Sequence, residues 1–390
     1  MLSDTSYTPQ PQDAAVMTNF RRLTIGLPSC CDAGERRFPL TPEAVAVLTD
    51  AGYGVRIQEG AARVIHYTDA AYVKAGAEIG SREDALSCDI VIALAPLSDP
   101  DIRKMRRGSM LLSLLNESRQ SPQSVNRLLD RHIIAVAIDL ITDRRGNTPF
   151  YDILSEIDGR AAVALSASLL ADPLHGKGIL LGGVAGIVPC EVTVIGSGIA
   201  ACAAASSALG AGAMVRMFDN DVYRLREASR SVPGIITSAL HPHVVANALR
   251  SADVVIATEM PLSYRIDADM INVMKKGVVI MDLNHDRSPM FPSLPEADVS
   301  SSPVDIGSGR RVCYTGISNA VPRTSAMALS NTFLSLMHDI LSCEGIINTV
   351  KMRPGLQCAV YTFHGKAVNR RIARIAGVRA MDMSLLLSCS

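Results

Sequence analysis

The chain is 390 residues long, enough for two domains with separate cores, and is 48% hydrophobic and 19% charged, as expected of a compact soluble protein. Its 38 basic and 38 acidic side chains cancel, which removes any electrostatic reason to expect nucleic acid or an anionic membrane as partner. The nine cysteines form no C-x-x-C pair, so reduced thiols in the cytoplasm are expected rather than disulfides or zinc.

Residues 1–20 are rich in Pro, Gln, Ser and Thr and have neither a basic nor an apolar leader region, so they read as a mobile arm and not a signal peptide. From Arg22 the chain alternates. "RLTIGLPS", "GVRIQEG", "DIVIALA", "SMLLSLL" and "HIIAVAID" read as buried parallel strands. "TPEAVAVLTDAG", "DAAYVKAGAE" and "SPQSVNRLLDRH" read as the helices between them, with Thr41–Pro42 and Ser121–Pro122 as N-cap and first-turn pairs. "DILSEIDGRAAVALSASLLADPL" (Asp152 to Leu174) reads as one long helix joining two domains; its apolar run is too short and Ser-interrupted to span a bilayer.

A second series opens at Glu191, with strands "VTVIG", "MVRMFD", "IITSAL", "DVVIATE" and "GVVIMDL" and a helix "DADMINVMKKG" before the last. After Val321, "PRTSAMALSNTFLSLMHDIL" predicts a helix that crosses back to the first domain. The expected architecture is α/β, two doubly wound domains with a ligand cleft between them.

The first turn of the second series is G-S-G-I-A-A. Gly196 suits a tight turn, Gly198 lets a pyrophosphate approach the backbone, and Ala201 stands where a third glycine packs helix on strand. Ser197 lies between the glycines, and the helix that follows offers its unpaired N–H groups to phosphate. Asp219 closes the next strand, where a carboxylate accepts from ribose hydroxyls and repels a 2′-phosphate, so NAD(H) is favoured over NADP(H). Arg224 and Arg226 read as exposed helix residues, and His241 and His243 as a surface turn without metal.

Several longer stretches carry a resemblance. "ERRFPLTPEAV", "DAAYVKAGAEI", "LSEIDGRAA", "GKGILLGGVAGIVP", "AVPRTSAMALSN" and the tail "PGLQCAVYTFHGKAVN" together resemble the alanine dehydrogenase and transhydrogenase-alpha family, closest to a divergent alanine dehydrogenase. The resemblance implies a Rossmann NAD domain (151–324, with the linking helix) inserted into a substrate domain split between 21–150 and 325–390. It also implies NAD-dependent oxidative deamination of L-alanine to pyruvate and ammonia, in a homo-oligomer.

By the same resemblance, Arg37 falls on the arginine that holds the substrate carboxylate, Asp286 on the catalytic aspartate, and Ser155 on a serine that contacts the cofactor. The plainer reading of Arg37 is a surface residue before a helix. Other positions depart from the family. Ala93 and Ala95 stand where it carries lysines, Asn116 stands in place of its acid/base histidine, and Gly316 replaces an asparagine. Asparagine donates a hydrogen bond but does not exchange a proton near neutral pH. His285, next to Asp286, could supply the missing acid in a rearranged site, although a histidine at a strand end is more often a structural hydrogen-bonder. Two further readings therefore stand beside the enzyme: an NAD(H)-binding pseudoenzyme, perhaps partnered with an intact paralogue, and a transhydrogenase-like hydride exchange. In all three the small-molecule partner is a nucleotide with or without an amino or keto acid.

Overall fold

Runs such as Ile90–Ile92 and Val254–Ala257 are apolar at every position and buried at every position, because both faces of a parallel sheet are covered by helices. The computed structural model describes residues 22–30, 34–261, 263–284, 289–298 and 304–388. It contains two such sheets.

The first is built from β1 (Thr24–Leu27), β2 (Gly54–Gln58), β3 (Glu78–Gly80), β4 (Ile90–Ile92), β5 (Met110–Ser113) and β6 (Ile134–Ala137). The second is built from β7 (Glu191–Ile195), β8 (Met214–Phe218), β9 (Ile236–Ser238), β10 (Val254–Ala257), β11 (Val279–Asp282), β12 (Glu296–Asp298) and β13 (Cys313–Thr315). The chain then returns to the first sheet and adds β14 (Val360–Phe363) and β15 (Lys366–Ala367). The eight-stranded order is β15-β14-β6-β5-β4-β1-β2-β3, parallel except that β14 runs antiparallel to both its neighbours, β6 and β15. The seven-stranded order is β12-β13-β11-β10-β7-β8-β9, parallel throughout. The second unit is thus inserted between segments that share the first sheet, which is the expected doubly wound α/β fold.

The strands expected from the sequence are present, and the short strands β3, β12, β13, β14 and β15 are additions. The long helix runs Pro149–Ala171, displaced toward the N-terminus from the expected 152–174. Pro149 suits a first turn, and Asp172 ends the helix by turning its carboxylate to accept from the N–H groups of Leu174 and His175. Ser121 caps its helix through a bond from the Ser124 N–H, but Thr41 occupies the cap position without a side-chain capping bond. Thr41 is buried, and its own N–H donates to Ser330 Oγ (2.8 Å) on the helix Pro322–Ser342.

That late helix does cross back. Leu329, Phe333 and Met337 are fully buried in the first core, Phe333 meets Phe150 of the long helix with ring centroids 4.8 Å apart, and the Tyr53 hydroxyl donates to the Met337 carbonyl. In the second unit the long helix lies on the helix Ile199–Gly210, which buries six alanines. At Gly159 an added Cβ would stand 2.2 Å from the Ala200 carbonyl oxygen, so the approach of the two helices requires glycine there. No helix among the described residues is long and apolar enough to cross a membrane, and no disulfide joins the described cysteines.

At the opposite end of the second sheet from its glycine loop, Asp253 Oδ1 accepts from both Lys177 Nζ and Lys275 Nζ (3.0 Å each), and its Oδ2 accepts from the Glu191 N–H. Burial pushes this carboxyl up, but the two ammonium groups and the amide outweigh it and hold the group below the ordinary aspartate value. A carboxyl depressed in the folded state contributes stability above its unfolded pKa of about 3.9 and loses it as pH falls through the folded value. Asp253→Asn should therefore lower the thermal midpoint at pH 7, with the gap to wild type closing below about pH 4. A gap that persists unchanged into acid would show that packing, not charge, is what Asp253 supplies.

Candidate functional site

The strand order reverses between β1 and β4 in the first sheet and between β7 and β10 in the second, where β13 also lies inside β12 at the edge. Loops leaving the C-terminal ends of such neighbouring strands diverge to opposite faces and leave a crevice. Both crevices are formed.

The first is a cavity of about 400 Å³ lined by the exit of β1 (Ser29, Cys30), by Arg37, and by the β4 exit with Ala93 and Ala95. Arg82 clamps its rim. The Arg82 guanidinium donates Nε and Nη2 to the two oxygens of Asp101 (2.7 and 2.9 Å) and Nη1 to the Ser29 carbonyl. The Arg82 side chain in turn holds the Asp101 carboxyl below the usual carboxylate range. Arg37 is aimed by Glu35. Its Nε donates to Glu35 Oε1 (2.8 Å), its Nη2 to Glu35 Oε2 (2.6 Å) and its Nη1 to Ser318 Oγ (3.3 Å). A substrate carboxylate gripped side-on through the Nε–Nη2 edge would have to displace Glu35.

Ser318 belongs to the turn Ile317–Ala320 after β13, and Asn319 of the same turn accepts from the Arg36 N–H (3.1 Å). These bonds bring the loop after β1 against the second unit. Asn116 lies at the end of β5 in the left-handed region (φ +38°), a conformation asparagine tolerates, and opens the turn Glu117–Arg119. Arg119 of that turn lines the cavity; Asn116 itself is half-buried beside it. Among the described residues the cavity wall carries no lysine and no histidine.

The second crevice holds the glycine loop. Gly196 has φ +104°, and its N–H donates to the Phe218 carbonyl (2.7 Å). An added Cβ there would stand 2.1 Å from Thr258 Oγ1, whose hydroxyl is fixed by donating to the Ile195 carbonyl. Gly198 caps the helix Ile199–Gly210 without a side-chain bond, and Ala201 is fully buried against its neighbours. The Ser197 hydroxyl donates to Asp219 Oδ2 (2.6 Å), and Asp219 Oδ1 accepts from the Asp221 N–H (2.9 Å). Asp219 is thereby buried at the end of β8 with its carboxylate pointed at the loop. A hollow beside it is lined by Asp221, Tyr223, Arg224 and Glu259. Arg226 lies over the Tyr223 ring, and His241 and His243 are exposed, in keeping with the surface positions expected of them.

Ser155 is buried on the long helix one turn beyond Tyr151, whose hydroxyl bonds to Glu259 at the exit of β10. His285 and Asp286 lie outside the described residues. The loop that carries them leaves β11 at Asp282, whose carboxylate accepts from the N–H groups of Asn284 (3.0 Å) and Met290 (2.7 Å). Among the described residues no three His, Cys, Asp or Glu side chains are placed to hold a metal ion.

Glu35, Ser318, Asn319, Tyr151 and Glu259 were not singled out by sequence reasoning. Glu35 had a signal: a carboxylate two residues before a candidate ligand arginine. The Tyr151–Glu259 and Arg37–Ser318 contacts join residues far apart in the chain and left none.

Comparison with known proteins follows the same division. A family model described as alanine dehydrogenase/PNT, N-terminal domain, matches residues 26–158, and one described as alanine dehydrogenase/PNT, C-terminal domain, matches residues 162–370. An alanine dehydrogenase of Bilophila wadsworthia is 27% identical over 368 residues, spanning 91% of this chain and 97% of the relative. Alanine dehydrogenase 2 of Staphylococcus aureus is 29% identical over 362 residues, spanning 90% and 96%. In fold, a solved L-alanine dehydrogenase matches with a TM-score of 0.81 at 24% identity, over 90% of this chain and 99% of that one. A transhydrogenase from Sinorhizobium meliloti matches with 0.72 at 20% identity, over 89% and 99%.

Proposed function

The chain belongs to the alanine dehydrogenase/PNT family, and on that premise we propose that it binds NAD(H) on the Gly196–Gly198 loop and oxidatively deaminates L-alanine to pyruvate and ammonia at a reduced rate. The observation that carries the nucleotide part is the buried Asp219 locked to Ser197 beside a helix start that no side chain caps. Such a carboxylate accepts from ribose hydroxyls and opposes a 2′-phosphate, while the loop amides and the helix N-terminus face a pyrophosphate. The residues present therefore fit a dinucleotide, with Glu259 the one exception. When bound, the nicotinamide supplies the hydride acceptor.

In this reading 151–324 hold the nucleotide, and 21–150 with 325–390 hold the substrate. Arg37 binds the substrate carboxylate and Asp286 takes up the proton during imine formation and hydrolysis, with Ser155 against the cofactor. Asn116 donates a hydrogen bond where proton exchange is needed, and His285, beside Asp286 in the sequence, is the candidate acid. A missing positioned acid/base lowers rates by about 10² to 10⁴. The cavity wall of Ala93 and Ala95, with the Arg37 fork held by Glu35, supports the second reading of a chain that binds NAD(H) and turns over poorly or not at all.

Leu180, Val184, Ile187 and Val188 stand exposed within one short stretch, which supports burial of that stretch in a homo-oligomer. The balanced charge and the lack of a disulfide among the described cysteines support a cytoplasmic setting without nucleic acid.

The test is a fluorescence titration with NADH and NADPH, followed by turnover with L-alanine and NAD and by light scattering on the same preparation. Expected are NADH binding, NADPH binding at least about tenfold weaker, slow alanine oxidation and a mass above one chain. Absence of NADH binding removes the reading. Alanine oxidation as fast as an ordinary dehydrogenase, at about 10 per second or more, would remove the part that assigns a cost to Ala93, Ala95 and Asn116.

A further inference from the structure

The second glycine of such a loop has no side chain so that a pyrophosphate can come against the backbone. Here a carboxylate borders the space on that side of Gly198 at contact distance. Glu259 Oε2 lies 3.4 Å from the point where a Gly198 Cβ would stand, with the carboxylate carbon at 3.9 Å. Its other oxygen accepts from the Tyr151 hydroxyl on the long helix. Glu259 follows Thr258, whose hydroxyl is bound to the Ile195 carbonyl, so the backbone that presents the carboxylate is fixed at the exit of β10. The carboxylate also lines the hollow that contains Asp219 and Asp221.

Resting on the NAD(H) reading, we propose that Glu259, tethered by Tyr151, is a specificity-determining residue of the nucleotide site that selects against diphosphate. A nucleotide diphosphate must break the Tyr151–Glu259 bond, turn the carboxylate aside and remain beside its charge. A nucleoside without phosphate can share the hollow with Glu259, because it brings no charge for the carboxylate to oppose. The site thereby holds dinucleotides more weakly than its loop and Asp219 alone would allow. At an effective dielectric of about 20, one displaced but nearby carboxylate is enough for changes of about tenfold or more in affinity.

Dissociation constants for NADH, ADP and adenosine, measured by calorimetry on the full chain, test this. Glu259→Gln, nearly isosteric, should tighten NADH and ADP by about tenfold or more and leave adenosine within about twofold. Glu259→Ala should give the same ranking, which separates removal of charge from any new bond made by glutamine. Tyr151→Phe, which keeps the ring and releases the carboxylate, should tighten NADH by less than Glu259→Gln and leave adenosine unchanged. If wild type binds NADH and neither Glu259 variant binds it more tightly, the proposal is overturned while the NAD(H) reading stands. Equal tightening of adenosine and ADP overturns it as well, because the effect would not lie at the phosphates. If neither wild type nor variants bind NADH, both fall together.

Discussion

Gly196→Ala should weaken NADH binding by about a hundredfold or more, with a folded chain remaining. Two independent causes act in the same direction. At φ +104° a residue with a Cβ is strained by about 1–3 kcal/mol. The new methyl would also stand 2.1 Å from Thr258 Oγ1, and Thr258 is buried and bound to the Ile195 carbonyl, so the loop must give way rather than the threonine. A shifted loop no longer points its amides at the place where the helix start would hold a pyrophosphate. Fluorescence titration reads the loss, and circular dichroism confirms that the two sheets persist. Binding within about threefold of wild type would place the nucleotide elsewhere and remove Gly196 from the site.

Glu35→Gln should lower stability by about 1–3 kcal/mol, because a neutral amide replaces the carboxylate that makes a two-pronged charge-assisted bond with Arg37. The side chains of Arg37 and Glu35 are 11% and 1% exposed, so water replaces little of what the carboxylate provides. Arg37 also carries the bond to Ser318, so the loosened guanidinium slackens the joint between the loop after β1 and the turn after β13. Urea unfolding reads the change. A double variant, Glu35→Leu with Arg37→Met, should recover much of the loss, because well-packed apolar replacements of a buried pair are often neutral. If Glu35→Gln costs less than about 1 kcal/mol, the pair is a surface bridge in effect and Arg37 is not positioned by it.

The strand pattern was legible because it is local. Buried parallel strands read as unbroken apolar runs, glycine loops mark the exits, and proline with a preceding serine or threonine marks helix starts. The G-S-G-I-A-A loop and the carboxylate at Asp219 were legible for the same reason, since a strand, a tight turn and a helix start occupy one short stretch. Where the same local rules met packing, they gave way. Thr41 stands at the cap position its sequence suggests, yet its contact is made by the main-chain N–H with a serine of the late helix Pro322–Ser342. Glycine is unfavourable inside a helix, and only the Ala200 carbonyl pressed against Gly159 shows why no other residue fits there.

The site divides along the same line. The amino-acid sequence by itself determined the doubly wound class, the family and the pairing of the glycine loop with Asp219 that makes one half of the candidate site. Each depends on residue types at short spacing, where the covalent chain sets the geometry. Only the tertiary structure decided that the Arg37 fork is held by Glu35 and tied to Ser318, and that Glu259 stands with Tyr151 over Gly198. Charges and hydroxyls meeting from distant segments are selected by burial, which makes an unpaired polar group costly once the sheets have assembled and leaves no trace in the spacing beforehand.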